Sequence, residues 1–339
     1  MNWGHIGSDE FKRTRRRKIP EKLGYCDFKY SNRVPYSLSS KNQDSKNYSA
    51  DSRIVLGGAA FQSMGMPAIS RLLESSRALK IRSIDTAPLY GHSEKAIGAI
   101  LKGDDSFSIS TKVGRPLTGP FTRDALHFSI EKSLKALNRD MVDCIFIHSL
   151  SPRLLSDSVY DALEDLKKSG VTRKIGVSAD NEDLSYFRQL SIFDSYMATL
   201  NLVDQRNLSQ IKLLVEKKDL EVTIKRALAN AAWTQKRIPN LKNMVKNLGK
   251  TRNKDDTQSY PFRHKFLSSV SEQHLNGWMY MQYSLSWNTS AKVLIGTSRI
   301  SHLQLFRDVE REKRLVAEEI EAIENLWKLG QLYDWKAIV

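Results

Sequence analysis

From Arg53 onward the chain alternates between short apolar runs of strand length and longer segments whose apolar positions recur every three or four residues. Ile54–Phe61 reads as a strand. Ala68–Leu79 reads as an amphipathic helix with Ile69, Leu72, Leu73 and Leu79 on one face. Further strands are predicted at Ile81–Asp85, Phe107–Lys112, Met141–Ile147, Lys174–Ser178, Ser195–Leu200, Leu220–Lys225 and Lys292–Ile295. Helices are predicted at Ser93–Leu101, Arg123–Leu137, Asp157–Lys168, Asn181–Leu190, Leu208–Lys217, His274–Ser286 and His302–Arg311. Eight short strands, each followed by a helix or an insertion, predict parallel pairing and a closed (β/α)8 TIM-type barrel rather than an open sheet. Chemistry in such barrels sits at the C-terminal ends of the strands.

Two segments break the alternation. Residues 1–52 are polar and basic with no sustained periodicity, and read as an N-terminal extension, loosely structured or packed across the barrel bottom; residues 53–339 read as the barrel domain. Residues 234–267 form a long basic insertion with Trp233 at its entry. These two segments account for much of a net charge of +15 on 339 residues. Such runs are most simply solvated surface, and neither has the stacking aromatics or fold cue that nucleic-acid binding would need. No apolar run approaches the roughly 20 residues of a membrane span, and the basic run Lys12–Lys18 is not followed by the apolar stretch of a secretory signal. Cys26 and Cys144 are too few for a disulfide framework, so a cytoplasmic location is expected.

The candidate chemistry lies where the strands end. Asp85 and Tyr90 close Ile81-Arg-Ser-Ile-Asp-Thr-Ala-Pro-Leu-Tyr-Gly91, Lys112 closes the third strand and His148 the fourth. An ammonium beside a phenol stabilises the phenolate and lowers its pKa, and a carboxylate keeps that ammonium charged and in place. An imidazole alongside can orient a carbonyl oxygen. Taken singly, Asp85 reads as a turn or cap residue, Tyr90-Gly91 as a turn pair, Lys112 as an exposed lysine and His148 as a satisfied core histidine. On one rim they form a device for giving a proton to a carbonyl. No metal is expected, because His-x-x-x-His and Cys-x-x-Cys spacings are absent. Ser178 lacks the Gly-x-Ser-x-Gly elbow of a nucleophile, and Gly57-Gly58 opens no Rossmann loop.

In order and in kind these residues resemble the aldo-keto reductase family. Asp85-Thr-Ala-Pro-Leu-Tyr-Gly-His-Ser-Glu-Lys-Ala-Ile-Gly98 is similar to the family's Asp…Tyr-Gly-x-Ser-Glu…Gly signature. Gly57-Gly-Ala-Ala-Phe61, Gly176-Val-Ser178, Lys225-Arg-Ala-Leu-Ala-Asn-Ala-Ala-Trp233 and Ile295-Gly-Thr-Ser-Arg299 with His302-Leu303 extend the resemblance to the C-terminus. It implies hydride transfer from a nicotinamide, usually NADPH with NADH possible, to an aldehyde or ketone. Tyr90 would be the proton donor, Lys112 and Asp85 would tune it, and His148 would orient the substrate. It also implies cofactor contacts at Ser178, Lys225, Leu228, Asn230, Gly296, Thr297 and Arg299.

The cofactor pocket departs from the family pattern. Ala179 stands where the family usually has an Asn that grips the nicotinamide carboxamide, and Met197 where a Gln contacts it. Leu305 and Phe306 replace residues that meet adenine. Each lost polar contact weakens binding by about 1 kcal/mol. Lys225, Arg226 or Arg299 could compensate, and Phe306 could stack on adenine. The departures leave a second function open: a nicotinamide-binding regulatory or sensor module with vestigial activity. A basic mouth suits a small, anionic or sugar-linked carbonyl substrate, while the oligomeric state is not legible.

Overall fold

A computed structural model of the chain describes residues 51–115, 121–234, 260–270, 276–312 and 314–330. The expected extension, apart from Asp51 and Ser52, and most of the basic insertion lie outside the described residues. Strands β1 (Ile54–Gly57), β2 (Ser83–Asp85), β3 (Ser108–Val113), β4 (Val142–His148), β5 (Thr172–Ser178), β6 (Ser195–Thr199), β7 (Glu221–Lys225) and β8 (Lys292–Ile295) form a closed barrel in sequence order. All pairings are parallel, and β8 returns to β1 through Val55 opposite Leu294. The fold is the expected (β/α)8 barrel.

Helices α1 (Met66–Ala78), α2 (Ser93–Ile100), α3 (Arg123–Leu137), α4 (Asp157–Lys168), α5 (Asn181–Phe187) and α6 (Leu208–Val215) follow successive strands. After β7 come α7 (Tyr260–Val270) and α8 (Gly277–Ser286), and after β8 come α9 (Ile300–Glu312) and α10 (Ala317–Gly330). Helix α3 has the expected bounds because its ends are specified locally. Thr122 Oγ1 accepts from Ala125 N at 3.2 Å, and Asn138 takes the left-handed conformation that stops the helix.

Three elements differ from expectation. The first strand ends at Gly57, and Gly58–Ser63 turns into a 3-10 helix. Helix α7 was hidden in a segment that reads as a basic insertion. It docks through Tyr260, whose hydroxyl donates to buried Asp204 at 2.8 Å. Helix α10 was also not anticipated, although Ile320, Ile323 and Trp327 have helical spacing. The Arg263 guanidinium lies 5.2 Å from the Trp327 ring and joins it to α7.

The main core fills the space between strands and helices, with Ile54, Leu56, Ile84, Ile109, Ile145, Ile147, Ile175, Val177 and Ile224 facing outward into it. The opposite faces of the strands line the barrel interior, where Cys144, Phe146, Met197 and Leu294 form a separate small cluster. The strand ends above this cluster carry the polar groups. Among the described residues no helix is long and apolar enough to cross a membrane.

Candidate active site

Asp85 is the last residue of β2 and pairs in register with Gly57 on one side and Ser110 on the other. Its backbone is held close to β1 because a Cβ on Gly58 would lie 3.1 Å from Asp85 O and 2.6 Å from Ser93 Oγ. On β3, Lys112 lies beside it. The ammonium forms an ion pair with Asp85 Oδ2 and donates to Thr86 O at 2.9 Å. The two side chains are 2% and 1% exposed. The motif residues Ser93 and Glu94 brace this pair from α2. Ser93 Oγ lies 2.9 Å from Thr86 Oγ1, and Thr111 Oγ1 donates to Glu94 Oε1 at 2.6 Å.

Tyr90 enters over the pair from the loop between β2 and α2. Lys112 Nζ lies 5.1 Å from the centre of its ring, and the His148 ring meets it edge-on at 5.8 Å. All four sequence-predicted catalytic residues therefore converge at one end of the barrel. Their electrostatics differ from the expectation in one respect. Burial raises the Tyr90 pKa more than Lys112 lowers it, so the net shift is upward and the phenol is held protonated. His148 is pushed down to about 3, first by burial and then by Lys112, Arg115 and Lys225, and its imidazole is neutral. Its Nδ1 is buried and has no hydrogen-bond partner among the described residues.

Next to this cluster the expected Ser178, Lys225 and Arg226 join a polar network whose centre, Asp180, the sequence reading missed. Lys225 ends β7 and donates to Ser178 Oγ at 3.0 Å, while pairing with Asp180 at 3.0 Å. Asp180 also accepts from Thr199 N at 2.8 Å and Asn207 Nδ2 at 3.0 Å, and lies 3.3 Å from Arg226 Nη1. Burial is the largest influence on Asp180 and acts upward. Lys225, the Thr199 amide and Arg226 outweigh it and hold the carboxyl below its ordinary range. The available signal was an acid two residues beyond a strand-terminal serine, in line with a Lys-Arg pair at another strand end.

The remaining expected cofactor residues occupy the ends of β7 and β8. Arg226, Ala229, Asn230 and Ala231 all have φ between 42° and 57°, an unusual run of left-handed backbone for residues other than glycine. Leu228 packs against the core, whereas Asn230 is exposed. At Gly296 a Cβ would meet nothing within 4 Å, which leaves open space over β8. Buried Thr297 accepts from Arg299 N at 3.1 Å and lies 3.0 Å from His302 Nδ1; Arg299 is exposed. Met197 lies 2% exposed in the interior cluster below this rim, and Ala179 is 3% exposed. The suggestion that Phe306 stacks on adenine does not hold, because Phe306 is 5% exposed and packed in the main core. A hydroxyl at Ser178, cations at Lys225, Arg226 and Arg299 and the open space at Gly296 nevertheless fit a phosphate-bearing nicotinamide cofactor.

Residues 53–328 match the sequence profile of the aldo/keto reductase family. The chain belongs to the aldo/keto reductase family. Aldo/keto reductases are nicotinamide-dependent oxidoreductases, and the chain is an enzyme of that kind. Among curated proteins it is 26% identical to D-arabinose 1-dehydrogenase of Saccharomyces cerevisiae over 285 residues, 76% of this chain and 82% of the yeast protein. Among solved structures it resembles an aldo-keto reductase of Bacillus halodurans, with a TM-score of 0.65, 21% identity, and 81% and 92% of the two chains covered. An aldo-keto reductase of Klebsiella pneumoniae crystallised with NADPH gives a TM-score of 0.58 at 20% identity, over 82% and 92% of the chains. In this aldo/keto reductase Asp85, Tyr90, Lys112 and His148 share one rim, and the β5 and β7 ends carry the Asp180–Lys225–Arg226 network.

Proposed function

We propose that the chain reduces a small aldehyde or ketone to an alcohol, with NADPH as the preferred cofactor. The observation that supports this best is the convergence of half-buried Tyr90 and His148 on the buried Lys112–Asp85 pair. When bound, the reduced nicotinamide supplies the hydride to the carbonyl carbon. Tyr90, protonated because burial raises its pKa, gives its proton to the carbonyl oxygen, and the product is the alcohol. Lys112 stabilises the phenolate left behind, and Asp85 fixes Lys112. Neutral His148 orients the carbonyl oxygen by hydrogen bonding, without a competing charge.

Ser178 and Lys225 line the nicotinamide end of the cofactor site, and Leu228, Asn230, Gly296, Thr297 and Arg299 line its phosphate end. The cations Arg226 and Arg299 favour NADPH over NADH, because a 2′-phosphate adds an anionic group for them to hold. The NADPH complex of the Klebsiella pneumoniae relative is in keeping with that choice. The basic composition of residues 234–267 favours a carbonyl substrate that carries a negative charge. A buried free thiol at Cys144 suits a reducing, cytoplasmic location.

Titration of the intrinsic fluorescence of the six tryptophans with NADPH and with NADH tests the cofactor assignment. Tighter quenching by NADPH supports it, and no quenching by either at sub-millimolar concentration contradicts it.

A further inference from the structure

Arg115 belongs to neither the catalytic cluster nor the expected cofactor set, yet its position is specific. It stands three residues beyond Lys112, after Gly114, whose φ of 93° turns the chain. A side chain at Gly114 would run into Leu150, with a Cβ 2.4 Å from Leu150 Cδ1. The turn carries the Arg115 guanidinium to the end of β4, where an Nη donates to Ser149 O at 2.8 Å. Ser149 follows His148 directly and itself has a φ of 52°. Arg115 is also close enough to His148 to depress the charged form of the imidazole.

The guanidinium is only partly used. Its Nε is buried and has no hydrogen-bond partner among the described residues, as is also true of His148 Nδ1. Among the described residues its one hydrogen bond is to Ser149 O, a neutral acceptor. Leaving a buried N–H without an acceptor costs about 1–3 kcal/mol. A guanidinium presents its N–H groups as a planar fork that matches the two oxygens of a carboxylate or a phosphate. The unfilled side of Arg115 thus has the chemistry of an oxyanion site beside the imidazole assigned to the carbonyl.

We infer that Arg115 is a specificity residue that binds an oxyanion of the substrate, so that the preferred substrate is a short aldehyde bearing a carboxylate or a phosphate. This inference rests on the reductase reading above and refines its substrate class. Because Arg115 contacts the residue adjoining His148, the oxyanion and the carbonyl are separated by only a few bonds. Long or neutral aldehydes gain nothing from it. A purely structural role, tying the β3 loop to the end of β4, would affect all substrates alike.

The test compares the wild-type chain with Arg115→Met and Arg115→Lys, using NADPH and three aldehydes: succinic semialdehyde, glyceraldehyde 3-phosphate and butanal. The wild type is expected to prefer an anionic substrate. In Arg115→Met the ratio of kcat/KM for that substrate to kcat/KM for butanal falls roughly 10- to 100-fold, mainly through KM. Arg115→Lys restores part of the ratio, because it keeps the charge without the fork. Loss confined to the carboxylated or to the phosphorylated aldehyde supports the inference and identifies the oxyanion. A proportionate loss on all three aldehydes, or a wild type that reduces butanal with no preference for either anion, overturns it and leaves the reductase reading intact. A wild type that reduces none of the three overturns both.

Discussion

Lys112 and Asp85 form an ion pair on adjacent strands that is almost wholly withdrawn from water, with the side chains 2% and 1% exposed. Two charges are held in a barrel mouth because each satisfies the other and because Thr86 O takes a further ammonium proton. Breaking such a pair by removing one partner costs about 3–5 kcal/mol, since the other charge is left buried. Asp85→Asn and Lys112→Met are each expected to lower stability by that order in urea denaturation. The double variant is expected to lose much less than the sum, and additivity would mean that the pair is not coupled.

The same end of the barrel dictates a pH dependence through His148. Its pKa in the folded chain is pushed from 6.5 to about 3, so below 6.5 the unfolded chain takes up a proton that the folded chain refuses. Stability assigned to this residue is therefore lost as pH falls from 6.5 toward 3, and is complete above 6.5. His148→Gln should lose stability less steeply than the wild type across that window. Parallel curves for the two proteins would show that His148 is not depressed.

Lys225 is held by Ser178 and Asp180 at the end of the rim proposed to take the cofactor. Lys225→Met is expected to weaken NADPH binding by roughly tenfold, about 1.4 kcal/mol, measured by fluorescence titration. Asp180→Asn should move affinity in the same direction without touching the cofactor, because it releases Lys225. Unchanged affinity in both variants would remove this network from the cofactor site.

Gly58 is required by close approach rather than by backbone conformation. Gly58→Ala places a methyl group 2.6 Å from Ser93 Oγ and 3.1 Å from Asp85 O. Overpacking of this kind costs about 1–3 kcal/mol, and here it also displaces the backbone of Asp85. Thermal unfolding should show a lowered Tm together with reduced turnover. A variant as stable and as active as the wild type would show that the turn after β1 yields at no cost.

Much of this architecture is legible in the sequence because its determinants are local. Strand β4 is predicted at Met141–Ile147, within one residue of the observed Val142–His148, and the bounds of α3 follow from Thr122 and Asn138. The candidate catalytic cluster is legible for a different reason: the barrel puts consecutive strand ends on one rim, so Asp85, Lys112 and His148 need only lie at their strand ends to meet. What escaped depends on distant partners. Asp180 is a polar loop residue until Lys225 and Thr199 arrive from β7 and β6, and Tyr260 reads as part of a basic insertion until Asp204 offers its hydroxyl a buried acceptor. The net pKa of Tyr90 was misjudged because the ammonium is visible in the sequence, whereas the burial that outweighs it is a property of the fold.

The most direct test of the mechanism is the rate of NADPH oxidation by Tyr90→Phe in a single turnover with a substrate aldehyde, alongside its affinity for NADPH. The variant keeps the ring beside His148 and Lys112 and removes only the phenolic hydroxyl that carries the proton. Loss of the proton donor predicts a rate lower by about 10²- to 10⁴-fold, with cofactor affinity within about twofold of the wild type. A near wild-type rate would contradict the assignment of Tyr90 as the acid.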